Sequence, residues 1–154
     1  MRLVSSELAL RAALALSAVG ELTLSELARA LDATPSAVQR ALEILLDDGV
    51  IERAARSRPL YRVSPNRLAA QVAGLAAGAV PLAEAIPIAA RANPAIEFVG
   101  LGDRTLIIVF SSGAGAIQQS HAARFLEGLA VARDLTLEYP AEFEAGHTAA
   151  CVSG

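Results

Sequence analysis

Gln39 and Arg40 are neighbours in a short amphipathic segment, and both side chains can recognise the bases of a nucleic acid. A glutamine amide can make two hydrogen bonds to adenine, and an arginine guanidinium can do the same to guanine or hold a phosphate. The small residues Ser36 and Ala37 precede them and would let a helix approach another surface closely. This pattern predicts the N-terminal end of a helix that contacts DNA.

A group of arginines follows this segment and surrounds a predicted loop that is closed by Pro59. Such a loop can follow the phosphate backbone or enter the minor groove, and Arg62 can add a further phosphate contact. The predicted DNA-binding residues are Thr34, Ser36, Ala37, Gln39, Arg40, Arg53, Arg56, Arg58 and Arg62.

The segments around these residues predict a helix, a turn and a second helix. Thr23 followed by Glu26 is a capping box for a helix over residues 24–31. Thr34 can cap the second helix, and Pro35 suits its first position. The second helix is expected to run to residue 48.

A two-stranded wing is expected to follow, with strands over residues 50–54 and 60–63. Ser6 can cap a preceding helix over residues 7–17. The short segment 21–23 can add a third strand to the wing. Together these elements predict a winged helix-turn-helix domain over residues 1–65.

This combination resembles the bacterial winged-helix transcription regulators of the ArsR and MarR type. The resemblance rests on residues 24–31, 34–45, 49–53 and 61–63. It implies double-stranded DNA as the partner and a homodimer as the active form. Metal-sensing members carry cysteines on the recognition helix, and this helix has none, so we predict no metal site there.

The second half predicts an α+β fold overall, with residues 66–93 as a helical linker. The linker either makes the dimer contact or packs on its own domain, and Pro87 is expected to kink or break its second helix. Residues 94–154 predict a small ββαβ domain. Its second strand, 105–110, is continuously apolar, which predicts burial on both faces.

Two candidate sites lie in this second half. The small-residue loop 111–116 follows a strand and precedes a helix, so it is either a flexible turn or a cradle for an anion. His147 and Cys151 lie four residues apart, but their surroundings do not favour a helix that would join them at a metal. We therefore predict no metal and no cofactor.

The order of the elements is also similar to bacterial regulators whose second part is a nucleotidyltransferase-like domain. That chemistry needs a Gly-Ser turn followed by paired acidic residues that hold Mg²⁺. Residues 100–103 do not supply the Gly-Ser, and no Asp-x-Asp pair follows. The resemblance implies a degenerate, inactive relative, and no nucleophile–base pair stands out elsewhere, so no enzyme is predicted.

Charge limits how the protein could hold DNA. Up to residue 70 there are nine arginines against eight acidic residues, and afterwards four against eight, which together give the net charge of −3. Since the first half is only weakly basic, binding would depend on where the arginines lie rather than on a large positive field. Neither an apolar run of membrane-spanning length nor a signal peptide is recognisable, so we expect a cytoplasmic protein.

The leading hypothesis is a sequence-specific DNA-binding transcription regulator, acting as a repressor and possibly as an antitoxin-type autorepressor. The C-terminal domain would then sense a small-molecule effector, hold a protein partner such as a toxin, or complete the dimer. The alternative is a winged-helix protein-interaction module, or a toxin-neutralising protein, without direct DNA binding. A bound nucleotide at residues 111–116 would favour a third class, an enzyme.

Overall fold

The computed structural model describes residues 6–54 and 57–140, and within these ranges the chain forms an α+β structure with two three-stranded sheets. None of the helices in these ranges is long and apolar enough to cross a membrane. The elements in chain order are α1 (Glu7–Val19), β1 (Glu21–Leu22), α2 (Leu24–Leu31), α3 (Pro35–Asp47), β2 (Ile51–Ala54), β3 (Leu60–Val63), α4 (Arg67–Ala79), α5 (Leu82–Ala92), β4 (Ile96–Leu101), β5 (Thr105–Phe110), α6 (Ala116–Ala132) and β6 (Thr136–Glu138).

The predicted helix-turn-helix is confirmed, and local hydrogen bonds set its helix ends. The Thr23 hydroxyl accepts from the backbone N–H of Glu26 at 3.3 Å, and the Glu26 carboxylate accepts from the backbone N–H of Thr23 at 2.9 Å. Asp32, at a φ of 51°, ends α2 in the left-handed region. Gly49, at a φ of 74°, turns the chain out of α3, and glycine adopts this conformation at little cost.

The predicted wing is also confirmed, including its third strand. The sheet is antiparallel in the order β1-β3-β2, so β3 lies in the middle. Ile51 and Tyr61 are buried and anchor the sheet to the core.

The C-terminal sheet has the order β4-β5-β6, with β4 and β5 antiparallel and β5 and β6 parallel. Helix α6 makes the crossover between the parallel strands, so the predicted ββαβ order is confirmed. The expectation that β5 is buried on both faces is wrong. Leu106 and Ile108 are buried, but Ile107 and Val109 are only half-buried, because alternate side chains point to opposite faces and the core lies on one of them.

Helix α5 runs through Pro87 without ending there. Of the two outcomes predicted for this proline, a break is therefore excluded. Strand β5 has the predicted bounds, residues 105–110.

Helix α1 lies at the centre of the molecule, because it packs against α3, α4, α5 and α6. Its buried face is unusually wide and mostly alanine, which lets several helices approach closely. The buried residues of α1 are Ala9, Ala12, Ala13, Leu14, Ala15, Leu16 and Ala18. One continuous hydrophobic core therefore includes both halves of the chain. The predicted domain boundaries at residues 65 and 93 stay predictions.

Asn93 joins the two halves through a buried side-chain amide. Its Nδ2 donates to the carbonyl of Ala18 at 2.8 Å and to the carbonyl of Gln118 at 3.0 Å. Its Oδ1 accepts from the backbone N–H of Ala95 at 2.9 Å. The residue is fully buried, so one side chain holds the end of α1, the start of α6 and the entry to β4 together.

Two further contacts attach α5 to the winged helix. Arg11 of α1 makes a bidentate ion pair with Glu84 of α5, with N···O distances of 2.9 Å. Arg91 of α5 donates to the carbonyl of Ala30 at 2.8 Å. Together these two contacts fix α5 against α1 and α2, the two helices that precede α3.

We expect Asn93→Ala to lower the free energy of unfolding by about 2–5 kcal/mol, because the buried carbonyl of Ala18, the buried N–H of Ala95 and the part-buried carbonyl of Gln118 all lose this partner. Asn66→Ala is the matched control, since Asn66 is an exposed helix cap whose loss costs about 1 kcal/mol. Denaturant unfolding followed by circular dichroism measures both. Equal destabilisation by the two substitutions would contradict the role given to Asn93.

Candidate nucleic-acid interface

The corner between α2 and α3 presents the start of α3 to solvent. Thr34 is exposed and caps α3, its hydroxyl accepting from the backbone N–H of Ala37 at 3.3 Å. The hydroxyls of Thr34 and Ser36 lie 3.4 Å apart. The Thr34 side chain therefore has a structural role whether or not it also contacts a ligand.

The two faces of α3 differ sharply. Val38, Ala41, Leu42 and Leu45 are buried, which agrees with most of the predicted apolar stripe. Of the predicted contact residues on this helix, Ser36 and Arg40 are exposed, and Ala37 and Gln39 are half-buried. The burial of one face leaves the opposite face, at the N-terminal end, available to a partner.

The wing supplies the second group of predicted residues. Arg53 near the end of β2 and Arg58 just before β3 are both exposed. Arg56 lies outside the described residues. The cross-strand partner of Arg53 is Tyr61, which is buried, so Arg53 extends from an anchored part of the sheet.

Arg62 differs from the other arginines of the wing because it is already paired. Its Nε lies 3.4 Å from a carboxylate oxygen of Glu52, its cross-strand partner in β2. On its other side, Glu21 is its partner in the register between β1 and β3. A phosphate would have to compete with these carboxylates for Arg62.

Three of the predicted arginines have no such competition. Within the described part of the chain, Arg40, Arg53 and Arg58 form no ion pair, and all three are exposed. Exposed guanidiniums without a carboxylate partner keep their five N–H donors available to an incoming anion or base edge. The positive end of the α3 dipole adds to the attraction for phosphate at the same corner.

This geometry defines the protein as a winged helix-turn-helix protein: a capped second helix with a free N-terminal face, beside an arginine-bearing wing. Residues 6–59 match the model of the MarR family, and this match covers 54 of the 154 residues. Neither a curated protein nor a solved structure matches the chain. The family match supports a DNA-binding transcription regulator.

Metal chemistry has no assembled site in residues 6–54 and 57–140, where no three His, Cys, Asp or Glu side chains cluster as ligands would. His147 and Cys151 lie outside these ranges. The resemblance of the C-terminal half to nucleotidyltransferase-like domains stays a prediction.

Sequence interpretation missed two features. Asn93 stands before a proline, and its local sequence gives no sign of the buried side chain that joins the two halves. Arg67 and Arg124 were not singled out, yet both line one large cleft next to the wing. Their positions, 57 residues apart by number, gave no local signal that they would face the same space.

We expect Thr34→Ala to lower the free energy of unfolding by about 1 kcal/mol, because a backbone N–H at the start of α3 loses its acceptor. Thr34→Ser keeps an equivalent hydroxyl and should restore most of the loss. Thermal unfolding of the two variants beside the parent protein tests this. A serine variant as unstable as the alanine variant would show that the cap is not the cause.

Proposed function

We propose that this protein is a cytoplasmic, homodimeric, sequence-specific DNA-binding repressor. The observation that carries the proposal is the free N-terminal face of α3, where Gln39 and the unpaired Arg40 project beside a wing with further unpaired arginines. In this proposal α3 lies in the major groove, with Gln39 and Arg40 at base edges. Ser36 and Ala37 allow the close approach.

The wing arginines have a different role in this proposal. Arg53, Arg56 and Arg58 contact phosphates beside the major groove and fix the register of α3 without reading sequence. Arg62 contributes less, because Glu52 shares its charge. Since the chain has 16 acidic residues against 13 arginines, a few well-placed contacts must supply the affinity.

A homodimer fits the small size of one winged helix, because two copies can read two half-sites of one operator. Surfaces on α4 and α6 support this part of the proposal. Leu75 on α4 is 46% exposed and Val131 on α6 is 82% exposed, and the two helices pack side by side. Gly74 and Gly78 add an open, small-residue surface on α4. A β-carbon added at either glycine would meet no neighbouring atom within 4 Å.

An antitoxin-type autorepressor is a particular version of this proposal. The net charge of −4 after residue 70 would suit a basic protein partner, such as a toxin, on the C-terminal half. A small toxin gene beside the coding sequence, and a stable complex of the two products, would support that version.

The competing function is a winged-helix module that binds only protein. It predicts no DNA binding at low salt by the purified protein, and unchanged activity after Arg40→Ala. An enzyme is a weaker candidate, because no nucleophile with a neighbouring base was found in the sequence and a regulator needs neither.

We expect Gln39→Ala to relax sequence preference, with a loss of about 1–3 kcal/mol at the cognate site and little loss on random duplex. Binding to the DNA upstream of its own coding sequence, measured by fluorescence anisotropy against a random duplex, tests this. Thr136→Ala, an uncharged exposed position on β6 outside α3, the wing and α4, is the control. An equal loss on cognate and random DNA would remove Gln39 as a base-reading residue.

The arginines at positions 58 and 62 provide a paired test of the phosphate contacts. Arg58→Gln should weaken binding to every duplex similarly and reduce the slope of log K against log salt by about one unit. Arg62→Gln should have a clearly smaller effect, because that guanidinium is paired with Glu52. DNA affinity of both variants is measured over a series of salt concentrations. A larger loss of affinity for Arg62→Gln than for Arg58→Gln would contradict the assignment of Arg58 as the stronger phosphate contact.

A further inference from the structure

A large cleft lies between the winged helix and the C-terminal half. Its volume is about 1370 Å³, and its walls come from the end of α1, from β1 and β3, from the first turn of α4 and from the N-terminal half of α6, with Glu26 of α2 at one edge. A cleft of this size is large enough to take a small organic molecule. Its walls belong to both halves of the chain, so an occupant would touch both.

Three arginines, two glutamates and one histidine line the cleft: Arg62, Arg67, Arg124, Glu21, Glu26 and His121. Arg62 is paired with Glu52, and the Glu26 carboxylate accepts from a backbone N–H. Glu21 is the cross-strand neighbour of Arg62. Arg67 of α4 and Arg124 of α6 are exposed and, among the described residues, form no ion pair, so their two guanidiniums remain free.

The start of α6 also lines the cleft and has no side-chain cap. Gly115 provides no side-chain acceptor, and the first turn contains no acidic residue. Ala116, Ile117 and Gln118 belong to the lining, so first-turn backbone N–H groups can add donors to those of the two arginines. This is also the end of the small-residue loop in which the sequence suggested an anion cradle.

The lining also has an apolar part. Leu16 and Val19 of α1 and Val63 of β3 contribute to the cleft. Ile117, although 75% exposed, is also part of the lining. An occupant that covered Ile117 would bury apolar surface that otherwise faces water.

We propose that this cleft binds a phosphomonoester, with the phosphate at Arg67, Arg124 and the start of α6, and the organic group on the apolar residues. Two guanidiniums match the two negative charges of a phosphomonoester at neutral pH, and arginine binds phosphate oxygens with paired N–H donors. Inorganic phosphate satisfies only the charged side of the cleft. A monoanion leaves one guanidinium without a matching charge.

Occupation of the cleft has a consequence for the wing. Leu60, Arg62 and Val63 of β3 line the cleft, and β3 carries the wing in the middle of its sheet. A bound phosphomonoester would contact the strand that positions the wing arginines. Only this regulatory consequence rests on the proposed function; binding in the cleft does not.

The test is isothermal titration of the full chain, without DNA, at pH 7.5, where phenyl phosphate is mainly a dianion. Inorganic phosphate and benzoate are the two comparison probes, because one lacks the ring and the other carries a single charge. Phenyl phosphate should bind with one site per chain and about tenfold more tightly than either comparison probe. Benzoate binding as tightly as phenyl phosphate, or no binding of phenyl phosphate, would overturn the proposal.

Variants locate the site. Arg67→Gln and Arg124→Gln should each weaken phenyl phosphate by about tenfold, because each removes charge-assisted hydrogen bonds. Arg29→Gln is the matched control, since Arg29 is exposed on α2 and does not line the cleft. Unaltered affinity in both cleft variants, at unaltered unfolding temperature, would place the phosphate elsewhere and overturn the assignment. DNA affinity is measured separately. Loss of DNA binding would contradict the proposed function, whereas loss of phenyl phosphate binding would contradict only the ligand site, so the two results are distinguishable.

Discussion

The buried amide of Asn93 is the interaction on which the arrangement of the two halves depends. It satisfies one carbonyl at the end of α1, another at the start of α6, and the N–H that opens β4. In a fully buried position an unmade hydrogen bond is costly, and an amide offers both the donors and the acceptor required here. The relative placement of the winged helix and the small sheet is therefore specified by one residue together with the apolar faces of α1.

The placement of α1 also determines what is left for binding. Because α1 is surrounded by α3, α4, α5 and α6, most apolar residues of these helices pack inward, with Leu75, Ile117 and Val131 as exposed exceptions. The N-terminal face of α3 stays exposed, as do Arg53 and Arg58 of the wing, and DNA contact requires this combination. The cleft results from the same packing, since the ends of α1, α4 and α6 and the central wing strand enclose it.

Local signals in the sequence predicted the winged helix well. Thr23 with Glu26, Thr34 with Pro35, and Gly49 each determine a helix end through neighbouring residues, so their effect is readable without tertiary structure. The ββαβ order was also predictable from changes in periodicity. The role of Asn93, the pairing of Arg62 with Glu52 and the cleft were not, because each depends on elements that meet only after folding. The half-exposed face of β5 was also not predictable, because an apolar run in the sequence does not reveal which neighbouring elements cover each face of a strand.

Central packing of α1 has a consequence for synthesis of the protein. Ala18 and Asn93 are 75 positions apart, and the contact with α6 lies still further along the chain. On the ribosome α1 emerges early, whereas α5 and α6, which cover much of its alanine-rich surface, emerge late. Until α5 and α6 have been made, the nascent chain therefore exposes apolar helix surface, and such surface is the target of chaperones and a starting point for aggregation. The winged helix is made first but can complete its packing only when the second half is available.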